Sequence, residues 1–372
     1  MCTMRVELEK YIASTEDVVG LSINNMHDIE FDGFNDDGCN GYVLFGNHKI
    51  FRRRVAVKYY YFGEDSHEEV ALIKSLNHNN VLRVWDARSV GDGWAYFITD
   101  EMTNGTLDTV INTSSISTNN AMHIVRGLLS GTGKLHEAPN YLLHRDLKPA
   151  NILIDSLGRP VIADFGSIKR IPQSDMKVKA SQHSALYRPP ESYDTGYYTI
   201  ASDIYQIGLV MYQLLGGILP YDPVHYMTNT QIITYSQMDN DFDKSKFVDQ
   251  ILYNKAKKAK LISIASLPYF THPKLINIIK KATNPEPSKR YQNTADFFLD
   301  LHKVGTIPSW KKLNEECILC DFKSLYYRII NTKKGYIFEK SKDNLIWRKV
   351  PRVGYEPAAV AVFNKALIIL GN

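Results

Sequence analysis

Cysteine is scarce in this sequence, and long apolar runs and targeting signals are lacking. Four of the 372 residues are cysteine, too few for the disulfide framework of a secreted domain, which favours a reducing compartment. The most hydrophobic stretch, residues 207–219, contains Gln213 and glycines and is shorter than the roughly 20 residues that a membrane span requires. The first 19 residues carry four acidic side chains where a signal peptide has an apolar core. We therefore expect a cytoplasmic protein without membrane attachment.

A strong excess of charge of either sign is also lacking. The chain has 44 basic and 40 acidic residues, and a net charge of +4 does not by itself indicate nucleic-acid binding. Residues 306–372 hold 12 basic and 6 acidic residues, so this segment is near +6 and the rest of the chain is near −2. With 44% apolar and 23% charged residues, the composition is that of a folded chain able to bury a large core.

Three regions differ in their pattern. Residues 30–102 read mainly as strands, with a hairpin predicted around Asn47-His48 between GYVLFG and KIFRRRVAVKYYY. Residues 103–305 have helical spacing, apart from a non-helical block at 141–191. The predicted helices cover residues 107–135, 204–215, 247–262, 274–282 and 295–304. After residue 306 we predict a three-stranded meander for SLYYRII, YIFEK and LIWRKV, followed by a hairpin for AAVAVF and ALIIL.

A further helix is predicted to begin just before Glu69. The run Ser66-His67-Glu68-Glu69 has the pattern of a capping box. Apolar residues follow Glu69 at spacings of three, four and seven, which places this carboxylate on the inward face of the helix. A carboxylate on a core face requires a cationic partner.

The non-helical block contains residues suited to phosphate chemistry. Asp146 and Asn151 lie five residues apart in HRDLKPAN, where the carboxylate can accept a proton and the amide oxygen can bind a hard cation. Lys148 adds a positive charge between them. After a predicted strand-turn-strand, Asp164-Phe165-Gly166 supplies a second carboxylate. Carboxylate and amide oxygens that hold Mg²⁺ are what nucleotide phosphates require.

A predicted strand and a glycine-bearing turn complete this set upstream. Ala56 and Lys58 project from the same face of the strand VAVK, so the small side chain leaves room for a flat base and the lysine reaches phosphates. Glu69 is the natural partner to hold Lys58 in place. The turn GCNGYV at residues 38–43 can bring backbone N–H groups to a phosphate.

Together these residues resemble the eukaryotic-type protein kinase family, and specifically its serine/threonine branch. The resemblance covers about residues 30–305 and rests on motifs that occur in the family's order. They are the glycine loop, VAVK, the helix glutamate, HRDLKPAN, DFG, YRPPE, SDIY and PSKRY. The resemblance implies an α+β, bilobal protein kinase fold with a β-rich N-lobe and a helical C-lobe, followed by a small β-rich C-terminal domain. The implied domains are an N-terminal extension at 1–29, the N-lobe at 30–102, the C-lobe at 103–305 and a basic β-rich domain at 306–372.

The resemblance also implies an activity, namely transfer of the ATP γ-phosphate to serine or threonine hydroxyls of protein substrates. Asp146 would be the catalytic base, and Lys148 would neutralise charge on the transferring group. Asn151 and Asp164 would hold Mg²⁺, with Mn²⁺ as an alternative metal. The same resemblance implies that Asp203 braces the catalytic loop and that Glu191 pairs with Arg290.

The nucleotide would be held by residues of the N-lobe and of the segment that follows it. Lys58, fixed by Glu69, would pair with the α- and β-phosphates. Asp100, Glu101 and Met102 would form the hinge whose backbone bonds adenine. The nucleotide-binding residues implied by the resemblance are Gly38, Gly41, Val43, Ala56, Lys58, Thr99, Asp100, Met102 and Leu153.

The acceptor class is indicated by Lys148 in HRDLKPAN and by the segment between DFG and YRPPE, and that segment also indicates the regulation. Lys148 and Ser184 lie where the serine/threonine branch has a lysine and usually a threonine. Ser167, Ser174, Ser181 and Ser184 are candidate acceptors in this segment, near several cations that could pair with a phosphate. We therefore predict autophosphorylation within residues 167–187.

Some interpretations remain open at this point. Asp36 stands where the family favours glycine, and only ten residues separate Lys58 from Glu69, so Glu68 is an alternative partner. A pseudokinase scaffold and a small-molecule phosphotransferase of related fold are the alternative functions. Cys317-Ile318-Leu319-Cys320 fits a packed segment better than a zinc site. The basic C-terminal domain fits an accessory sheet, with an acidic partner or nucleic acid as the alternative.

Overall fold

The computed structural model describes residues 8, 10–12, 18–35, 41–61, 76–91, 93–180, 184–315 and 317–371. They form two compact units, one built from residues 1–105 with 153–168 and the other from 106–152 with 169–372. Seven residues singled out above lie outside the described residues, and the predictions that concern them stay predictions. They are Asp36, Gly38, Ser66, His67, Glu68, Glu69 and Ser181.

The first unit is built on an antiparallel sheet of five strands, which a short helix precedes in sequence. The elements are α1 (Val18–Ile23), β1 (Ile29–Asn35), β2 (Val43–His48), β3 (Arg53–Tyr61), β4 (Val84–Gly91) and β5 (Trp94–Asp100). The strand order in the sheet is β1-β2-β3-β5-β4. The predicted strand character of this region is therefore confirmed.

The two faces of β3 have different roles because side chains alternate along a strand. Val55, Val57 and Tyr59 are almost fully buried in the core that the sheet shares with the N-terminal segment. Ala56 and Lys58 point to the other face. The predicted turn at Asn47-His48 is wrong by a few residues, because both residues pair with β3 and the chain reverses at residues 49–52.

A second hairpin belongs mainly to this unit. Strands β7 (Ile152–Ile154) and β8 (Pro160–Ile162) pair as the strand-turn-strand pattern predicted. Asp155 stabilises the turn by accepting bonds from the backbone N–H groups of Leu157 (2.9 Å) and Arg159 (2.8 Å). Ile162 joins the hairpin to the rest of the unit, because its carbonyl accepts from the N–H of Leu82 at 2.8 Å.

The second unit is mainly helical. Its α-helices up to residue 302 are α2 (Leu107–Thr113), α3 (Thr118–His136), α4 (Glu191–Thr195), α5 (Ile200–Leu214), α6 (Asn229–Ser236), α7 (Asp241–Lys257), α8 (Pro273–Ala282) and α9 (Thr294–His302). Short strands β6 (Leu142–Leu143), β9 (Lys169–Arg170), β10 (Val178–Lys179) and β11 (Tyr197–Tyr198) lie between them in sequence.

Two predicted helices differ from those observed. The helix predicted over 107–135 is two helices, because Ser117 caps the start of α3 by accepting from the backbone N–H of Asn120. The helix predicted over 247–262 begins at Asp241, where Asn240 caps it, and ends at Lys257. Ala259, two residues later, has φ 52°, a left-handed conformation that a helix cannot contain.

The C-terminal segment forms a five-stranded antiparallel meander and a helix. Its elements are β12 (Ser309–Asn314), β13 (Cys317–Phe322), β14 (Leu325–Thr332), β15 (Gly335–Ser341), β16 (Arg348–Lys349) and α10 (Ala359–Leu370). The predicted meander is confirmed, although two strands precede it. The predicted final hairpin is wrong, because Val362, Phe363, Ala366 and Leu370 share one helical face that is buried on the sheet.

This C-terminal segment packs on the helices of the same unit. The carbonyl of Trp310 accepts from Thr118 Oγ1 at 3.2 Å, and Ser309 Oγ accepts from the backbone N–H of Asn119 at 3.1 Å. The Phe363 ring lies 5.4 Å from the rings of both Trp310 and Tyr269. The segment thus belongs to the same compact unit as the helices, and the domain boundary at residue 306 stays a prediction.

The architecture matches the expected class. A sheet-rich unit, a helical unit and a separate C-terminal sheet make up an α+β fold. Cys317 and Cys320 are both buried on β13, and burial raises the pKa of each thiol. Within the described ranges, no helix combines the length and the apolar character needed to cross a bilayer.

Candidate active site

The first group of predicted site residues surrounds Lys58 in the sheet-rich unit. Lys58 Nζ lies 2.9 Å from Asp164 Oδ1, and the two side chains are 27% and 30% exposed. Val43 is paired with Lys58 across the β2–β3 ladder, so both side chains lie on one face. Ala56 is paired with Phe45 on one side and Thr99 on the other. Lys58, Val43 and Ala56 therefore share one face of the sheet, and the carboxylate of Asp164 contacts Lys58.

Gly41 shows why a glycine is needed next to this face. Its φ is 133°, and a Cβ at this position would lie 1.9 Å from the carbonyl oxygen of Tyr59. Only glycine allows the backbone to approach β3 so closely. Asp164 also has an unusual backbone, with φ 56° just before the buried Phe165. Such strain persists only where the surroundings enforce it, and it is common at functional sites.

The predicted hinge residues follow β5. Thr99 is buried, and its hydroxyl donates to the carbonyl of Arg83 at 2.8 Å. Asp100 pairs with Arg53 at 3.0 Å, and Glu101 pairs with Arg54 at 2.6 Å. The hydrogen bond to Asp32 is the main cause that raises the pKa of Arg54. These ion pairs were missed in the sequence, although three successive arginines at 52–54 beside an acidic hinge were a usable signal.

The second group of site residues surrounds Asp146 in the helical unit. Asp146 Oδ2 accepts from Lys148 Nζ and from Asn151 Nδ2, both at 2.9 Å. Asn151 Nδ2 also donates to the backbone carbonyl of Asp146 at 2.9 Å. The other carboxylate oxygen, Oδ1, is buried and has no hydrogen-bond partner among the described residues. Asp146 is therefore fixed through one oxygen while the other remains available as an acceptor.

Asp203 holds the backbone that carries Asp146. This fully buried carboxylate accepts from the backbone N–H groups of His144 at 3.0 Å and Arg145 at 2.9 Å, and from His136 Nε2 at 2.8 Å. Burial alone would raise the pKa of Asp203, but these hydrogen bonds and the nearby histidines outweigh it and hold the pKa below its usual value. The predicted bracing role of Asp203 is confirmed.

Gln206 is a second support for this loop, and the sequence did not reveal it. Its Oε1 accepts from the N–H of Leu147 at 2.9 Å, and its Nε2 donates to the carbonyls of Arg145 and Tyr187, both at 3.3 Å. The available signal was an amide three residues after Asp203, at the start of the apolar run of helix α5.

The segment before α4 is attached to the same loop. Lys148 Nζ donates to Ser184 Oγ at 2.5 Å, and Arg145 Nη1 donates to the carbonyl of Lys179 at 2.7 Å. At the end of the segment, Arg290 binds both carboxylate oxygens of Glu191, at 2.9 and 2.7 Å. The predicted Glu191–Arg290 pair is confirmed.

The predicted site residues thus fall into two groups. Gly41, Val43, Ala56, Lys58, Thr99, Asp100, Met102, Leu153 and Asp164 belong to the sheet-rich unit, and Asp146, Lys148 and Asn151 belong to the helical unit. Within the second group, contacts of 2.9 Å join all three side chains.

Comparison with known proteins identifies the family. The model of the protein kinase domain matches residues 37–298, which is more than half of the chain. The chain is 28% identical over 251 residues to the serine/threonine-protein kinase PrkC of Bacillus subtilis, covering 67% of this chain and 34% of that protein. It is 30% identical over 201 residues to the human mitogen-activated protein kinase kinase kinase 6, covering 50% of this chain and 15% of that protein.

A plant kinase gives a similar match. The chain is 26% identical over 251 residues to the SNF1-related protein kinase catalytic subunit alpha KIN12 of Arabidopsis thaliana, covering 67% of this chain and 47% of that protein. The chain therefore spans less than half the length of these relatives. With the matched domain and the geometry of both groups of residues, the chain belongs to the eukaryotic-type protein kinase family.

Proposed function

We propose that this chain transfers the γ-phosphate of ATP to serine or threonine hydroxyls of proteins. The observation that carries the proposal is the state of Asp146. One of its oxygens is held by Lys148 and Asn151, and the other is buried without a partner among the described residues. A substrate hydroxyl that donates to this second oxygen would be oriented for attack, with Asp146 accepting its proton.

The residues present also fit Mg²⁺, the metal that the family uses with ATP. Mg²⁺ prefers carboxylate and amide oxygens, and Asp164 and Asn151 supply one of each. The observed bonds of the Asn151 side chain to Asp146 use its nitrogen, so its oxygen is not engaged in them. Mg²⁺ held by oxygens of these two types would neutralise charge on the phosphates. Lys58 would bind the α- and β-phosphates, and Lys148 would stabilise charge that develops on the transferring group.

The proposal of serine or threonine as acceptor rests on two observations. The first is that the relative named above as a serine/threonine-protein kinase matches 67% of this chain. In addition, Lys148 bridges Asp146 and Ser184, with Nζ 2.9 Å from Asp146 Oδ2 and 2.5 Å from Ser184 Oγ. A lysine at this position of the catalytic loop resembles the serine/threonine branch of the family, in which the acceptor is a serine or threonine hydroxyl.

Autophosphorylation is proposed for the same segment, with Ser174 as the proposed acceptor among its described serines. Ser184 Oγ is engaged by Lys148, whereas Ser174 is exposed on a turn three residues before Lys177. Arg145 lies in this region as well, since it bonds the carbonyl of Lys179. A phosphate on Ser174 would gain charged partners without displacing an existing side-chain bond of Ser184.

The test of the function is transfer of labelled phosphate from ATP by the purified full chain. Myelin basic protein is the generic acceptor, and acid hydrolysis of the product identifies the phosphorylated amino acid. Asp146→Asn should lower the rate by at least about a hundredfold, since it removes the general base. Asp239→Asn is the matched control, because it makes the same chemical change at an exposed position of the helical unit. Equal rates for the wild type and Asp146→Asn would refute the proposed function.

A further inference from the structure

The N-terminal segment, which precedes the part matched by the family model, covers the outer face of the sheet. Leu8 and Val19 are buried in the core formed with Val55, Val57 and Tyr59. Because side chains alternate along β3, this core lies on the face opposite to Ala56 and Lys58. The segment therefore supports the strand that carries the phosphate-binding lysine from behind.

One residue of this segment, Tyr11, lies at the ends of β1 and β2. Its ring stacks on that of Phe34, with centroids 4.2 Å apart and planes at 15°, and meets the ring of Tyr42 edge-on at 6.2 Å. Its hydroxyl donates to the carbonyl of Asn35 at 3.1 Å. Phe34 and Asn35 are the last residues of β1, and Tyr42 directly precedes β2. Tyr11 thus contacts both strands where they leave the ladder.

Tyr11 contacts Tyr42, and Tyr42 is the direct neighbour in the chain of residues that face the proposed nucleotide site. The Tyr42 ring also stacks on Trp94, at 5.5 Å, and its carbonyl accepts from the N–H of Tyr59 at 2.7 Å. On either side of Tyr42 are Gly41, which touches the backbone of β3, and Val43, which is paired with Lys58. Any shift of the Tyr42 backbone therefore moves residues that the proposed function assigns to ATP.

We propose that Tyr11 is a positioning residue for nucleotide binding, acting through Phe34 and Tyr42 on Gly41 and Val43. The inference rests on the proposed function, since it assumes that this face of the sheet binds ATP. Tyr11 does not reach that face itself, because its partners lie in the core on the other side. Its ring fixes the start of β2, and through it the position of Val43 relative to Lys58. Asp146, Lys148 and Asn151 belong to the other unit, so we expect a change at Tyr11 to leave their positions unchanged.

The test is the affinity of the full chain for ATP with Mg²⁺, measured by titration calorimetry, together with KM and kcat. Tyr11→Ala removes the ring contacts with Phe34 and Tyr42, and the loss of this stabilisation should weaken ATP binding about three- to tenfold. Tyr11→Phe keeps the ring, and its lost hydrogen bond is exposed, so it should stay within about twofold of the wild type. KM for ATP should rise in parallel in Tyr11→Ala while kcat at saturating ATP is preserved. Lys10→Ala, an exposed neighbour, is the matched control and should bind as the wild type does.

Tyr11→Leu is the second variant, used in case Tyr11→Ala does not fold. Leucine restores the buried apolar surface but lacks the aromatic ring. It should melt close to the wild type and still bind ATP more weakly than Tyr11→Phe. Wild-type affinity in both Tyr11→Ala and Tyr11→Leu, or a fall in kcat alone, would overturn the inference. If the wild type itself binds no ATP, the proposed function fails, and the role of Tyr11 fails with it. Weakened binding in Tyr11→Ala and Tyr11→Leu, with rescue by Tyr11→Phe, supports the inference.

Discussion

The residues around Lys58 and those around Asp146 are held in different ways. Lys58 and Asp164 are each more than a quarter exposed, and the ion pairs of the hinge, such as Arg53–Asp100, also face solvent. Asp146 is only 5% exposed, and Asp203 and Arg290, which support its surroundings, are completely or almost completely buried. The sheet-rich unit therefore positions its charges by strand pairing, whereas the helical unit positions them by a buried polar network.

This difference determines how each region should respond to mutation. An exposed ion pair contributes little, because water replaces a lost partner. A buried charge that loses its partner has no such replacement, and its desolvation cost is then uncompensated. Mutations of single charges should consequently be severe in the helical unit and mild along the hinge.

The largest effect is expected at the Glu191–Arg290 pair. Arg290→Ala would leave the carboxylate of Glu191 buried without its two guanidinium bonds, at a cost of about 3–5 kcal/mol in the free energy of unfolding. Urea unfolding followed by circular dichroism measures this loss. Lys289, the neighbour of Arg290, pairs with Glu286, and both side chains are about 60% exposed, so Lys289→Ala should leave the unfolding midpoint nearly unchanged. Similar midpoints in the two variants would refute the distinction between buried and exposed pairs.

A comparable effect is expected at Trp310, because this side chain lies in the buried core of the C-terminal segment. Trp310 is 2% exposed and lies against Phe363, so Trp310→Ala should cost about 3–5 kcal/mol. Leu313→Ala, on the same strand and 50% exposed, is the control and should cost little. Thermal melting would show both. A variant truncated after residue 305 that melts like the full chain would show that the sheet is independent of the helices.

The catalytic loop and the C-terminal segment also show how far the sequence could be interpreted. Asp203 and the Glu191–Arg290 pair were predicted correctly, because their roles depend on backbone geometry that a family preserves residue by residue. The final helix was predicted as a hairpin, because AAVAVFNKALIIL is apolar and rich in valine and isoleucine, which favour strands. The segment is helical because Val362, Phe363 and Ala366 then lie on one face and pack on the sheet. Such tertiary packing cannot be deduced from the strand propensities of single residues.

A third prediction concerns how the contribution of Asp203 to stability changes as the pH falls. The pKa of Asp203 is below its ordinary value of 3.8 in the folded chain, so the unfolded state binds a proton at a higher pH than the folded state does. The contribution of Asp203 to stability is therefore complete above pH 3.8 and is lost as the pH falls through the lower, folded pKa. Asp203→Asn should be less stable at neutral pH and should lose less further stability between pH 4 and pH 2. Urea midpoints across this range measure it, and parallel pH profiles for wild type and variant would contradict it.

The smallest effect is expected at Arg53, on the hinge. Arg53 pairs with Asp100 at 3.0 Å and lies over the Trp85 ring at 4.4 Å, but it and its partner are 42% and 39% exposed. Arg53→Ala should therefore cost less than about 1 kcal/mol of unfolding free energy. Because Thr99 and the β3–β5 pairing hold the hinge backbone, KM for ATP should stay within about twofold of the wild type. Arg53→Lys, which keeps the charge but not the planar group, separates the ion pair from the stacking on Trp85. A tenfold rise in KM for Arg53→Ala would mean that the exposed arginine pairs, and not strand pairing, set the position of the hinge.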